Sequence, residues 1–256
     1  MGRSARRWLG ARAPPRLSPV LKAVFFDAAG TLFETRLPVA EIYAELARQF
    51  GIEADARQVG AAFRSAFESA PALAFGTRHR AEELRRLERD WWHKRVAETF
   101  TQIGKFADFE TYFDRLFAIF ADPSTWEICP EAITTLKRLK SEGLIVGVIS
   151  NFDSRVHRLL DGLGLGALLD STTISSEAGF AKPAPEIFAL ALKKHHLRPL
   201  ECLHVGDSIP LDVEGAQTAG IRALLVRPEH EAPSGVVSVR SLGEIPNLVK
   251  NLGLTF

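Results

Sequence analysis

Val24-Phe25-Phe26-Asp27-Ala28-Ala29-Gly30-Thr31-Leu32-Phe33 is the stretch on which the reading of this chain turns. An apolar run ends in a carboxylate, and Gly30-Thr31 follows as a tight turn. A short apolar run closed by a turn signal predicts a strand, Ala23 to Asp27, that carries Asp27 to its C-terminal end. A second carboxylate two residues on would complete a proton-transfer pair, but Ala29 occupies that position.

Outward from Asp27 the two directions read differently. Beyond Pro130, apolar strands alternate with amphipathic helices. "EAITTLKRLKSEG" is a helix with a glycine stop and "LIVGVIS" a strand. A helix from Ser154 to Leu160, a strand near Thr172 to Ser175 and a helix from Pro185 to His195 come next. "CLHVGD", a helix from Leu211 to Ala219 and "IRALLV" complete the series. That alternation predicts a parallel sheet with helices on both faces, an α/β, Rossmann-like core. Between the first strand and this region the apolar spacing is helical throughout. Ile42, Leu46 and Phe50 form one stripe, Val59 to Ala70 another, Leu84, Leu87, Trp91 and Val96 a third, and Phe109 to Phe120 a fourth. The expected organisation is a basic leader over 1–21, a core formed by 22–36 and 125–256, and an inserted α-helical cap over 37–124. The charge run within 78–100 reads as a solvated helix surface laced with i,i+4 pairs. "GLGLG" at 162–166 follows a helix rather than a strand, which makes it a helix end and loop, not a dinucleotide site.

Composition narrows the partners. The 256 residues are 46% hydrophobic and 25% charged, with a formal charge of +1. No global field favours nucleic acid, and no apolar run approaches the ~18 residues of a membrane span. Cys129 and Cys202 match no ligand spacing and read as free thiols of a reducing, cytoplasmic compartment. The leader carries Arg3, Arg6, Arg7, Arg12 and Arg16 with no acid before Asp27. A transit peptide and a twin-arginine signal are open readings. The absence of an apolar segment after "RRWL" favours a disordered tail or an early start.

In open parallel sheets, ligands sit beyond the carboxyl ends of the strands. Asp27, Ser150 and Asp207 each fall at such an end. With "KP" at Lys182-Pro183 and "GDSIPLD" over 206–212, these stretches resemble, in order and spacing, the four motifs of the haloacid dehalogenase superfamily. The resemblance covers roughly residues 22 to 250.

It implies a hydrolase, most simply a phosphatase for a phosphorylated small molecule. Asp27 would attack phosphorus and form an aspartyl-phosphate. Mg²⁺ would be held by Asp27, the Ala29 main-chain carbonyl, Asp207 and Asp212, the last directly or through water. Ser150, Asn151 and Thr31 would bind the phosphate side of the substrate, and Lys182 would hold both nucleophile and phosphoryl group. The chain departs from the family's phosphatases at Ala29, where the usual Asp serves as acid and then base. Turnover is therefore expected to be slow, because such proton transfer contributes ~10²–10⁴-fold. Glu34 is a candidate substitute. Three rivals stay open: a non-catalytic phospho-ligand-binding protein, a phosphonatase and a 2-haloacid dehalogenase. A phosphonatase needs a cap lysine, and the chain has none between Lys22 and Lys94. A dehalogenase has no use for the acidic residues Asp207 and Asp212.

Overall fold

β1 (Ala23–Phe26) is buried along its whole length, and its side chains alternate between two separate cores. Val24 and Phe26 point into one cluster, Ala23 and Phe25 into the other. That period-2 split places β1 at the centre of a sheet covered on both sides. The computed structural model describes residues 20–76, 79–226 and 232–251. Among them the sheet has six strands in the order β5-β4-β1-β6-β7-β8. These are β4 (Ile145–Ser150), β5 (Ser171–Ile174), β6 (Cys202–Gly206), β7 (Arg222–Val226) and β8 (Ser238–Val239). Every pairing is parallel. The strand order reverses beside β1, between β4 and β6, so the crevice expected of such a switch point opens at the C-terminal end of β1.

Helices close both faces. α5 (Ala132–Ser141), α6 (Arg155–Gly162) and α10 (Ile245–Asn251) bring Leu136, Leu159 and Ile245 to the Val24 side. α8 (Pro185–Lys193) and α9 (Gly215–Thr218) bring Ile187, Phe188 and Ala216 to the Phe25 side. A one-turn helix, α7 (Ser175–Ala178), follows β5 directly. This is a Rossmann-like α/β sheet with helices on both faces. Gly164 takes φ +71° just past α6, so "GLGLG" is a helix end and its loop.

The four helical stripes become α1 (Val39–Arg48), α2 (Ala56–Glu68), α3 (Ala81–Phe100) and α4 (Phe109–Phe120). They enclose an apolar cluster of their own, built on Tyr43, Phe100, Tyr112 and Phe113. A ribbon joins this block to the sheet. β2 (Phe33–Thr35) runs antiparallel to β3 (Trp126–Ile128), and Phe33 meets Trp126 edge-to-face at 5.3 Å. At three residues each, these strands carry too little periodicity to read from sequence, and neither was anticipated.

Three expectations need correction. The charge run in α3 is not all solvated surface: Glu88 is 2% exposed and Arg95 6%. The helix expected from Leu211 begins as a wider π-type turn over Ile209–Glu214 and becomes α-helical only at Gly215. Pro210 supplies no N–H to that turn, and the Asp212 carboxylate reaches back to accept the Ser208 N–H at 3.0 Å. The leader expected over 1–21 lies outside the described residues as far as position 19, but Leu21 is buried in the core against the sheet.

Candidate active site

Three strand ends and one loop converge on a single buried ammonium group. β1 hands over to Asp27, whose N–H still pairs with the Val205 carbonyl at 2.8 Å, so the sheet holds the Asp27 backbone rigidly. Ser150 closes β4, Gly206 closes β6, and Asp207 follows it. From the loop before α8, Lys182 sends its Nζ to Asp27 Oδ1 and Asp212 Oδ1, each at 2.6 Å. Its peptide bond to Pro183 is cis. Lys182, Asp27, Asp212 and Ser150 are all buried, while Asp207 opens toward solvent.

Two glycines permit this crowding. Gly30 turns the chain at φ +87°, and a Cβ there would stand 2.6 Å from Asp207 Oδ2. A Cβ on Gly206 would lie 2.1 Å from the Asp212 carboxyl carbon. Glycine lets the backbone approach each carboxylate where any side chain would displace it. The turn itself is pinned by the Ala28 carbonyl, which accepts the Leu32 N–H at 2.8 Å, and by Gly30 N–H to the Phe33 carbonyl at 2.9 Å.

The charges do not balance. Carboxylate oxygens of Asp27, Asp207 and Asp212 lie within 4.8 Å of one another, against one ammonium. Burial pushes the Asp27 pKa up further than Lys182 pulls it down, and Asp212 adds to the rise. Desolvation in the cleft, then Asp27 and Asp212, raise Asp207 to about 6. Asp212 goes the other way. Burial disfavours its charge, but Lys182 and a hydrogen bond from His204 outweigh that and hold it well below the usual carboxylate range. Burial would lower Lys182, yet the Asp27 and Asp212 charges lift it above its ordinary value. An all-oxygen donor set with excess negative charge suits a hard divalent cation such as Mg²⁺. Asp27, Asp207 and Asp212 fit that group, and Ala29 would contribute only its main-chain carbonyl.

The remaining expected residues take defined places. Thr31 is buried and its hydroxyl donates to Asp207 Oδ1 at 3.4 Å. Asn151, expected to bind substrate, also holds the loop that carries Lys182. Its Oδ1 accepts the Lys182 N–H at 2.7 Å and its Nδ2 donates to the Lys182 carbonyl at 2.9 Å. It is thus a clasp on the Lys182 backbone. Ala29, half-buried, forms an isolated bridge with Phe33 and brings no side-chain proton donor. Glu34 is exposed on β2 in register with Glu127.

Sequence reasoning missed His204. It is fully buried, and its Nε2 lies 2.9 Å from Asp212 Oδ1. It stands in the apolar strand "CLHVGD", where a lone histidine is most simply a core residue, and its spacing of eight residues before Asp212 was the available signal.

Comparison with known proteins agrees with this architecture. The sequence matches the profile of the haloacid dehalogenase-like hydrolases over residues 21–220, and the chain belongs to that family. It is 34% identical over 232 residues to haloacid dehalogenase-like hydrolase domain-containing protein 3 of Bos taurus, covering 89% of this chain and 91% of that one. Its fold resembles a HAD phosphatase from Thermococcus onnurineus, with a TM-score of 0.62 at 23% identity, over 90% of this chain and 98% of that one. It also resembles L-2-haloacid dehalogenase from Xanthobacter autotrophicus, with a TM-score of 0.67 at 20% identity, over 91% and 99% of the two chains.

Proposed function

We propose that this hydrolase is a Mg²⁺-dependent phosphatase that acts on a phosphorylated small molecule through an aspartyl-phosphate on Asp27. The observation that carries the reading is the buried Lys182 ammonium, 2.6 Å from both Asp27 and Asp212, with Asp207 completing a carboxylate surplus. A dehalogenase that works without metal gives no reason to gather three carboxylates.

Asp27 attacks phosphorus with one carboxylate oxygen. A P–O bond forms, the bond to the leaving oxygen breaks, and that oxygen departs with the electron pair and takes up a proton. Water then cleaves the acyl phosphate, releasing inorganic phosphate and restoring Asp27. Lys182 keeps the Asp27 carboxylate in one orientation and offsets charge on the phosphoryl oxygens, and Asn151 fixes the backbone that presents Lys182. Ser150 supplies a hydroxyl donor, and Thr31 steadies Asp207. Mg²⁺, held by Asp27, Asp207, Asp212 and the Ala29 carbonyl, would neutralise the negative charge these residues and the phosphate share. The α1–α4 block serves as the cap over this edge.

Ala29 cannot donate a proton to the leaving oxygen or accept one from water. Leaving groups that depart as stable anions therefore lose least, and the second step suffers most. The same feature supports a second reading, a phospho-ligand-binding protein with little turnover. Both cysteines are buried free thiols, and no helix among the described residues is long and apolar enough to cross a membrane. The free thiols fit a reducing, cytoplasmic location.

The test is phosphate release from a panel of phosphorylated metabolites and aryl phosphates, with and without Mg²⁺, for the unmodified chain and Asp27→Asn. Mg²⁺-dependent release lost in Asp27→Asn supports the phosphatase. Tight binding of phosphorylated ligands with no release in any condition selects the binding protein. Full activity in Asp27→Asn would overturn the nucleophile.

A further inference from the structure

α3 sends a buried acid and an indole to the loop that follows Ser150. Glu88 Oε1 accepts the Ser154 N–H at 2.9 Å, and Oε2 accepts the Ser154 hydroxyl. One turn along the same helix face, the Trp92 indole N–H donates to Asp153 Oδ2 at 2.6 Å. Asp153 has no exposed surface. It also accepts the Arg155 N–H at 3.0 Å and two guanidinium N–H groups, Nε at 2.8 Å and NH2 at 2.6 Å. Arg155 in turn lies 3.9 Å above the Phe117 ring and donates to the Phe117 carbonyl at 3.3 Å, both on α4. Residues 153–155 are thus gripped by two helices of the block while standing only three to five positions after Ser150.

Ionised acids are costly to bury unless every lone pair meets a donor. Here Glu88 draws both its donors from across the seam, while Asp153 keeps its Arg155 contacts and gains the Trp92 indole from the block, so the full set of donors is present only while the α1–α4 block is seated. When it lifts, water replaces those donors at little cost, so the joint can reopen in a way that an apolar seam resists. The Lys182 loop is touched as well: a Cβ on Gly179 would lie 2.5 Å from the Gly76 carbonyl carbon.

We propose that Glu88, Trp92 and Asp153 form a latch between the helical block and the sheet, and that Asp153 is a positioning residue that fixes the Ser150 loop when the latch is closed. The positioning role rests on the phosphatase reading; the latch does not. Trp92→Phe removes the indole donor and keeps a ring in the seam, while Glu88→Gln keeps the shape and removes the charge.

The first measurement is amide hydrogen exchange on the full chain without substrate. Each variant should exchange about 5- to 10-fold faster over 153–156, with β4 amides unchanged, as local opening requires. The second is phosphate release with Mg²⁺. A mispositioned Ser150 lowers kcat by about 10-fold with little change in KM or in the Mg²⁺ concentration giving half-maximal rate. Unchanged exchange over 153–156 in both variants overturns the latch. Faster exchange of β4 to the same degree overturns it too, since that is general destabilisation. Faster local exchange with unchanged kcat overturns the positioning role alone. A chain that releases no phosphate at all refutes the phosphatase and its positioning residue together, and exchange still decides the latch.

Discussion

Two groups of buried charge lie a few residues apart in this molecule, and they are built on opposite principles. Around Lys182, three carboxylates compete for one ammonium, and burial drives the Asp27 and Asp207 pKa values upward. Around Asp153, the carboxylate oxygens of Glu88 and Asp153 meet donors from Ser154, Trp92 and Arg155. The first group leaves its surplus charge unanswered, whereas in the second, where two carboxylates share one guanidinium, every carboxylate oxygen meets a donor. Spare charge marks where an outside partner belongs, whereas complete pairing marks a joint within the protein.

The largest effect should come from removing the cation in each group. Lys182→Met leaves Asp27 and Asp212 facing each other, and Arg155→Met strips Asp153 of its guanidinium. Breaking a buried pair in this way costs ~3–5 kcal/mol, so both melting temperatures should drop by several degrees. Only the first loss should be partly recovered by millimolar Mg²⁺, because only there can an added cation replace the missing one. Thermal melts of both variants with and without Mg²⁺ check this. Equal recovery, or none in either, would erase the distinction between the two groups.

Next in size is Ala29→Asp. With the Lys182 site in place, an acid two residues after Asp27 should raise phosphomonoester turnover by part of the ~10²–10⁴-fold that proton transfer contributes. The gain should be greatest for alkyl phosphates and least for aryl phosphates. No gain on either series, with phosphorylated ligands still bound, would mean that the surplus of charge serves binding alone.

A smaller effect is expected from Gly30→Ala. The left-handed backbone at φ +87° costs a side chain ~1–2 kcal/mol, and the new Cβ would push on Asp207. Mg²⁺ binding by calorimetry should weaken, while exchange over 153–156 stays as it was. Weakened pairing in the second group as well would show that the two are not independent.

The contrast between the groups also explains what sequence could reveal. Asp27, Ser150 and Asp207 could be placed on one sheet edge because each follows an apolar run, and strand direction then does the gathering. Glu88 could not be distinguished in "AEELRRLERD", where acids and arginines alternate and nothing marks one as buried. Its partner, Ser154, is 66 positions away. The β2–β3 ribbon escaped for a similar reason, since three-residue strands show no period until they pair. Asn151 could be placed beside Ser150 at a strand end, but its clasp on the Lys182 backbone becomes visible only when the loop carrying Lys182 folds against it.

The finest distinction is one of sign, read in the pH dependence of stability. Glu201 is another fully supplied carboxylate. The Arg198 side chain and N–H, with Lys22, hold it down from 4.5 to about 2. Between those values the folded chain is ionised at Glu201 while the unfolded chain is protonated, so stability rises with pH from about 2 to 4.5 and is lost again on acidification. Asp207 behaves oppositely. Its pKa rises from 3.8 to about 6, so over that range the unfolded chain gives up its proton first and stability falls as pH rises. Melting temperatures from pH 3 to 7 for the unmodified chain, Glu201→Gln and Asp207→Asn separate the two. Glu201→Gln should flatten the acid limb, and Asp207→Asn should reduce the decline toward neutrality, the remainder coming from Asp27, whose carboxyl is also shifted upward. Mg²⁺ should abolish that decline in the unmodified chain, since a cation favours the ionised carboxylate. A decline that neither Asp207→Asn nor Mg²⁺ reduces would mean that the surplus charge at the Lys182 site is not what the titration reports.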